Sequence, residues 1–260
     1  MDEPIGIFDS GIGGVTVLKE IVKILPKENY IYYSDSANNP YGDKNDNEII
    51  EICDKIVNKL INEKCKAIVI ACNTASAKAS KYLREKYKNI PIIAIEPAYK
   101  MVYDNSYEKP TLVMATKGTI ESEKFNLLFE KYNNHKTYLL PCIGLADIIE
   151  AGDVVEIKKY LNKNIGIYRN RIGNVVLGCT HYPLIKKEIM ESLGEQIQFF
   201  DGAASLARHL KNTLEEKDML NNKDNKKQSI IFIDTNSKEE IRILKETRFY
   251  EYLKNDMDKD

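Results

Sequence analysis

The chain has 260 residues, of which 43% are hydrophobic and 30% are charged, a composition typical of a globular protein with one or two domains. Its formal net charge is −1, so no strong overall field favours binding to nucleic acid or to an anionic membrane. No apolar run approaches the roughly 20 residues of a bilayer-spanning helix, and the first residues carry neither a charged leader nor an apolar signal core. We therefore expect a cytoplasmic protein.

Apolar runs typical of strands alternate with amphipathic helical patterns along the chain, which predicts an α/β fold with mainly parallel sheets. The predicted strands are Ile5–Phe8, Tyr30–Tyr33, Ala67–Ile70, Pro91–Ile95, Thr111–Met114, Thr137–Leu140, Asn174–Leu177, Gln196–Phe200 and Ser229–Ile233. The clearest helical pattern is Asn47–Leu60, with one apolar stripe, and another is Ala203–Leu214. The polar stretch Glu215–Gln228 is predicted to be an exposed loop, and a last helix begins near Lys238. The polar tail after Lys254 is expected to be frayed.

Two segments resemble each other, and each carries a cysteine at the same place. They are Ala67–Thr74 and Asn174–His181, each an apolar run followed by a small residue, Cys and two polar residues. This pattern predicts a buried strand whose carboxyl end opens into a helix. Cys72 and Cys179 then lie near helix N-termini, where the helix dipole favours a thiolate. Two such thiols facing one pocket can act as a proton donor and a proton acceptor.

Matched spacings indicate an internal duplication. Asp9 and Cys72 are 63 positions apart, and so are Thr116 and Cys179, each at the end of an apolar run. We infer two similar four-stranded units, related by pseudo-two-fold symmetry.

The units are assigned from these strand ends. We expect residues 1–97 to form the first domain, completed by residues 208–260, and residues 98–207 to form the second. Ligands of open α/β sheets bind at the carboxyl ends of the strands. An active site in the cleft between the two domains would therefore have Cys72 and Cys179 on opposite walls.

The five cysteines do not have the pattern of a disulfide framework or of a structural zinc site. Their number is odd, no two form a CxxC pair, and the chain has three histidines. The simplest interpretation of a single cysteine is a small buried apolar residue, and we apply it to Cys53 and Cys65. No metal site is expected.

The glycine-rich elbow Asp9-Ser10-Gly11-Ile12-Gly13-Gly14 lies between a predicted strand and a predicted helix. Its backbone N–H groups can bind an anion, or its glycines can serve only a tight turn. The G-x-G-G spacing does not match the G-x-G-x-x-G of dinucleotide-binding folds. Asp9 can be a functional acid or only a helix N-cap, and both interpretations stay open at this point.

Other polar residues near predicted element ends also have two interpretations. Asn73, Thr74 and Thr180 can cap the helices that follow them, and the same groups can bind a ligand. His181 by itself is more typical of a surface histidine than of a general acid. Glu150 lies near a predicted helix C-terminus, where the dipole disfavours an acid, and this indicates function only mildly.

Four motifs occur in a fixed order along most of the chain. They are Phe8-Asp9-Ser10-Gly11-Ile12-Gly13-Gly14, Asn39-Pro40-Tyr41-Gly42-Asp43, Ala71-Cys72-Asn73-Thr74-Ala75 and Gly178-Cys179-Thr180-His181-Tyr182-Pro183-Leu184. Together they resemble the motifs of the cofactor-independent aspartate/glutamate racemase family, from about Ile5 to Ala203. The chain departs from the family pattern at Asn38, where an arginine is expected, and at Asp201-Gly202-Ala203, which replaces a more usual Asp-Ser-Gly.

The resemblance implies a two-base racemase with its site between two α/β domains. One cysteine would take the α-proton of L-glutamate and the other would reprotonate the opposite face, and the matching positions are Cys72 and Cys179. Asp9 matches the acid that assists the first cysteine, and Glu150 and His181 match the pair that assists the second. The positions matching residues that hold the amino acid are Asp9, Ser10, Tyr41, Gly42, Asn73, Thr74, Thr180 and His181.

The resemblance also implies that glutamate is the substrate, that no cofactor takes part, and that the D-glutamate formed supplies peptidoglycan synthesis. A thiol with its pKa of about 8.5 lowered by a helix N-terminus or a nearby cation would serve as the base. We expect no nucleic-acid or membrane partner, and we expect a homodimer.

Three alternative functions stay open. The first is a racemase for aspartate or another amino acid, against which the intact Asp9-Ser10-Gly11 motif argues. The second is an inactive binding or regulatory protein on the same fold, against which the presence of both cysteines argues. The third is a hydrolase with a single nucleophilic cysteine and a paired histidine, which would not need Cys72.

Overall fold

The computed structural model describes residues 2–133, 135–222 and 228–254. The strands in these ranges are β1 (Ile5–Asp9), β2 (Tyr30–Ser34), β3 (Ala67–Ile70), β4 (Ile92–Ala94), β5 (Thr111–Ala115), β6 (Thr137–Pro141), β7 (Asn174–Gly178), β8 (Gln198–Phe200) and β9 (Ile230–Asp234). The α-helices are α1 (Val15–Ile24), α2 (Asp46–Asn62), α3 (Asn73–Lys86), α4 (Tyr99–Ser106), α5 (Lys117–Ile120), α6 (Glu123–Tyr132), α7 (Leu145–Ala151), α8 (Val154–Ile165), α9 (Lys186–Leu193), α10 (Ala203–Glu216) and α11 (Glu239–Lys254).

The strands form two sheets with the same order of connections. The first sheet has the order β4-β3-β1-β2-β9 and the second, written in the same sense, has the order β8-β7-β5-β6. All of these strand pairs are parallel. The α/β fold with two similar parallel sheets is therefore confirmed, and β9 is the additional edge strand of the first sheet.

Both faces of the first sheet are covered by helices. Ile5 and Ile7 pack with α1, α10 and α11 on one face, while Phe8 packs with α2 and α3 on the other. Side chains alternate between faces along a strand, so a sheet buried on both sides needs continuously apolar strands. The second sheet is covered in the same way, by α7, α8 and α9 on one face and by α4 and α6 on the other.

The predicted strands are confirmed within two residues at each end. Helix α2 begins one residue before the predicted Asn47, after an Asn45 side chain that accepts a hydrogen bond from the Glu48 N–H (3.0 Å). Helix α10 continues to Glu216, past the predicted start of the loop, and residues 223–227 of that loop lie outside the described ranges. The tail after Lys254 also lies outside them.

The chain returns to the first sheet earlier than the predicted boundary. Helix α10 begins at Ala203, and its buried residues from Ala203 to Leu214 belong to the core on the α1 face. The division predicted between residues 207 and 208 therefore falls inside this helix. The remaining domain boundaries stay a prediction.

Candidate active site

The carboxyl ends of β1 and β7 meet where the two sheets face each other. The Thr180 hydroxyl, just after β7, donates to the Asp9 carboxylate at 3.2 Å. The Ile12 N–H, in the elbow after β1, donates to the Glu150 carboxylate at 3.2 Å. These bonds join the two halves of the molecule through buried polar groups.

One cavity at this junction collects most of the predicted site residues. Its lining includes Ser10, Tyr41, Gly42, Cys72, Asn73, Thr74, Cys179, Thr180 and His181. Asp9 and Glu150 lie behind this lining, in contact with Thr180 and His181, respectively. Both cysteines therefore face one space, one from each sheet.

Cys72 connects β3 to the first turn of α3, as the sequence predicts. Its Sγ lies 3.9 Å from the Ser10 hydroxyl. Burial, assisted by the charge of Asp9, raises the pKa of this thiol to about 12, although the Ala75 N–H and Ser10 lower it. The expected preference of Cys72 for the thiolate is wrong, because burial outweighs the helix N-terminus.

Asp9 is fully buried and holds the glycine-rich elbow. Its carboxylate accepts hydrogen bonds from the N–H groups of Gly11 (3.3 Å) and Gly14 (3.1 Å). A Cβ on Gly14 would lie only 2.8 Å from the Cβ of Asp9, so the close approach requires glycine. Burial raises the pKa of Asp9, and the charge of His181 opposes this shift. The anionic group that the N–H groups of the elbow bind is thus the carboxylate of Asp9 itself.

Cys179 lies beside a buried histidine. Its Sγ is 3.7 Å from His181 Nδ1, and His181 Nε2 is 2.6 Å from Glu150 Oε2. His181 is 1% exposed, so the interpretation as a surface histidine is wrong. Burial lowers the pKa of His181, but its contacts with Cys179 and Glu150 outweigh burial and raise this pKa well above its ordinary value. A protonated His181 can donate one N–H to each neighbour.

Glu150 lies in the last turn of α7, and its charge is balanced by two cations. Oε2 faces His181, and Oε1 accepts a 2.7 Å hydrogen bond from Lys245 Nζ. Burial would raise the pKa of Glu150, but His181 and Lys245 outweigh it and hold this pKa at about 2. The carboxylate is therefore ionised despite its burial.

Tyr41 and the departure at Asn38 share one acceptor, Asp35. The Tyr41 hydroxyl donates to Asp35 at 2.6 Å, and the Asn38 amide donates to both Asp35 oxygens at 3.0 Å. A hydrogen bond from an uncharged amide therefore stands where an arginine would form an ion pair. Burial is the largest of the effects that raise the pKa of Tyr41 above its ordinary range. This side chain therefore remains a neutral phenol.

Several contacts around the cavity were not predicted from the sequence. The Thr116 hydroxyl lies 2.9 Å from that of Thr74, and Asn39 donates to Asp147 (2.9 Å) across the two halves. All four residues line the cavity. The sequence could have indicated Thr116, because the duplication makes it the counterpart of Asp9 in the second unit. Asn39 and Asp147 were indicated only by a turn composition and by a position near a helix start.

Within residues 2–133, 135–222 and 228–254, no group of three His, Cys, Asp or Glu side chains is arranged to hold a metal ion. In the same ranges, no helix combines the length and apolar character needed to cross a bilayer.

Comparison with known proteins gives consistent matches over most of the chain. Residues 5–210 match the family described as Asp/Glu/Hydantoin racemase. The chain is 45% identical over 245 residues to a glutamate racemase from Clostridium perfringens, covering 93% of each chain. It is also similar to the structure of glutamate racemase from Francisella tularensis in complex with D-glutamate, with a TM-score of 0.80, 32% identity and coverage of 98% of this chain and 95% of that one. A glutamate racemase from Bacillus anthracis, RacE1, gives a TM-score of 0.81 at 29% identity and covers 95% and 94% of the two chains.

Proposed function

The chain belongs to the Asp/Glu/Hydantoin racemase family and is an amino-acid racemase, and we propose on that premise that it interconverts L-glutamate and D-glutamate by a two-cysteine mechanism. The observation that carries the proposal is the single cavity with Cys72 and Cys179 in its lining. A racemase without an electron-withdrawing cofactor needs a base on one face of the α-carbon and an acid on the other. Two thiols supplied by corresponding strand ends meet that need.

Glutamate is the substrate favoured by the relatives. The Clostridium protein carries that activity in its name, and D-glutamate is the amino acid in the Francisella complex. In this chain the cavity is lined by small hydroxyl and amide donors, which suit an amino acid with two carboxylates; these are Ser10, Asn73, Thr74, Thr116 and Thr180. The N-terminus of α3, which begins at Asn73, also favours an anion.

The two thiols have different surroundings. Burial raises the pKa of Cys72, which favours its thiol form. Cys179 has His181 Nδ1 at 3.7 Å from its sulfur, a ring that can assist proton transfer there. For the conversion of L-glutamate we therefore assign Cys179 as the base and Cys72 as the acid.

The proton transfer takes place in two halves. The Cys179 thiolate takes the α-proton, the C–H electron pair stays on the α-carbon, and the Cys72 thiol then gives its proton to the opposite face. The products are the other enantiomer, a Cys179 thiol and a Cys72 thiolate. Hydrogen-bond donors around the α-carboxylate stabilise the carbanion formed between the two halves.

The reverse direction requires Cys72 to act as the base. Asp9 has a raised pKa, which brings its proton affinity closer to that of the thiol and makes transfer between them less unfavourable. The ammonium group of a bound amino acid would bring a cation into the cavity that Cys72 lines, and a nearby cation favours the thiolate. The substrate itself would then offset part of the effect of burial on Cys72.

The wider role follows from the product. D-glutamate is a component of peptidoglycan, and the resemblance to the family implies that its members supply it. We therefore propose that this chain acts in the cytoplasm and supplies D-glutamate to cell-wall synthesis. The expected homodimer stays a prediction.

The test is the optical activity of glutamate. L-Glutamate incubated with the purified protein, free of added metal and cofactor, should lose its circular dichroism signal until the two enantiomers are equal. The Cys72→Ala and Cys179→Ala variants should lose this activity while keeping the folded-state spectrum. A wild-type protein that leaves L-glutamate unchanged would overturn the proposed function.

A further inference from the structure

A buried lysine on the C-terminal helix lies directly behind the proposed site. Lys245 is 9% exposed, and its Nζ lies 2.7 Å from Glu150 Oε1. Lysine is rarely buried unless it is paired. Lys245 touches the carboxylate that holds His181 and is not among the residues lining the cavity, so its route to the chemistry runs through Glu150.

The helix that carries Lys245 is anchored in the first half of the molecule. Phe249, one turn further along α11, is fully buried and packs its ring 4.7 Å from those of Tyr32 and Phe232. Glu150 belongs to α7 in the second half. The Lys245–Glu150 ion pair therefore joins the core of the first half to the assisting acid of the second.

A second side chain of α11 fixes the same turn of α7. Arg248 donates to the carbonyl oxygens of Ile149 (3.0 Å) and of Glu150. The last carbonyls of a helix have no partner within the helix, and a cation there also complements the helix dipole. Gly152 follows with φ +78°, and a Cβ at this position would lie 3.1 Å from Arg248 Nη2. The backbone and the side chain of Glu150 are thus both held from α11.

The position of Glu150 determines the position of the His181 ring. Each carboxylate oxygen has a defined partner, because Oε1 faces Lys245 and Oε2 faces His181. The ring orientation that satisfies Oε2 also directs Nδ1 towards the Cys179 sulfur. Without Lys245, Oε1 would lose its cation, and the full charge of Glu150 would act on His181.

Other titratable or charged groups that face this pair, among the residues the structure describes, include Asp9, Tyr32, Asp147, Cys179 and Arg248. Two cations of α11 contact α7: Lys245 meets the Glu150 carboxylate, and Arg248 meets main-chain oxygens. Lys245 is therefore the side chain whose removal changes the charge on that carboxylate most directly.

We propose that Lys245 is a positioning residue that, through Glu150, orients His181 and sets how tightly its imidazole holds a proton, and thereby controls the half of the reaction carried by Cys179. The racemisation readouts of this proposal rest on the proposed function. The state of the imidazole can be measured without any substrate.

The kinetic test compares Lys245→Met, which keeps an unbranched side chain one atom shorter and removes the charge, with Lys245→Arg, which restores a cation. Lys254→Met, an exposed lysine on the same helix, is the matched control. Lys245→Met should lower kcat by about 10- to 100-fold, as expected for a displaced catalytic group. The loss should show the same bias between the two directions as His181→Asn, and Lys245→Arg should recover most of it. In the pH profile of kcat, the limb that reports deprotonation of His181 should move to higher pH by about one unit in Lys245→Met. The reason is that Lys245, a cation that repels the imidazolium, is lost.

The second readout is the ¹⁵N spectrum of the imidazole groups, with the His181 signals assigned by their loss in His181→Asn. In the wild type they should report an imidazolium over the neutral pH range, and in Lys245→Met they should shift and titrate at higher pH. If the methionine variant does not fold, Lys245→Gln, which keeps a hydrogen-bond donor, carries the same expectation. Wild-type kinetics, pH profile and His181 signals in the folded methionine or glutamine variant would overturn the proposal. A wild type that does not racemise glutamate overturns the proposed function instead, and the ¹⁵N spectra then decide the positioning role alone.

Discussion

Burial should protect Cys72 from alkylation by about three orders of magnitude. The thiolate is the reactive species, and burial raises the pKa of Cys72 from its ordinary 9.0 to about 12. Three pH units correspond to about 10³-fold less thiolate near pH 7 than an ordinary cysteine has. At pH 7, Cys72 should therefore react with iodoacetamide far more slowly in the folded protein than in the unfolded chain.

The assay is a time course of iodoacetamide labelling between pH 6 and pH 9, read by mass spectrometry of cysteine peptides. Labelling of Cys72 should rise about tenfold per pH unit across this range, since its pKa lies above it. The same peptides from urea-unfolded protein give the intrinsic rate of each cysteine. His181→Asn should leave the labelling of Cys72 unchanged. Labelling of Cys72 in the folded protein at the rate of the unfolded chain at pH 7 would refute the reasoning from burial.

Two further predictions concern the assisting residues. Glu150→Gln should cost about 3 kcal/mol in the free energy of unfolding at pH 7, because the pKa of Glu150 falls from 4.5 to about 2 on folding. A depressed carboxyl pKa stabilises the fold above pH 4.5 and loses this effect as the pH falls towards 2, so the difference from wild type in urea unfolding should shrink by about half at pH 3; an unchanged difference would contradict the ion-pair reasoning. Asp9→Asn and His181→Asn should slow opposite directions of racemisation, as kcat changes balanced by KM changes, because the equilibrium constant of enantiomers is one. Equal losses of kcat in both directions would leave Asp9 and His181 with binding or structural roles only.

The strands and their division into two similar parallel sheets could be predicted from local pattern and spacing, whereas the order of the strands within each sheet was not predicted. Each strand is short and apolar because its sheet is covered by helices on both faces, and that requirement is visible in the sequence. The duplication also predicted that Cys72 and Cys179 would face one cavity, since corresponding strand ends meet when two similar sheets face each other.

The charge states of the site could not be predicted in the same way. The helix N-terminus at Cys72 is a local feature, but the burial that outweighs it depends on how the two halves close over the sulfur. His181 has no local signal for burial, because the side chains that enclose it come from distant segments. Lys245 is 95 positions from Glu150 along the chain, and nothing in the α11 sequence distinguishes it from the neighbouring charged residues.

The most direct test of the two-base mechanism is the position of deuterium early in the reaction. L-Glutamate is incubated with the wild-type protein in deuterium oxide, the enantiomers are separated at low conversion, and the α-deuterium content of each is measured. Two thiols on opposite faces predict deuterium in the D-glutamate formed, while the remaining L-glutamate keeps its α-proton. Equal early deuterium content in the recovered L-glutamate and in the product would mean that one base serves both faces, and it would contradict the assignment of Cys72 and Cys179.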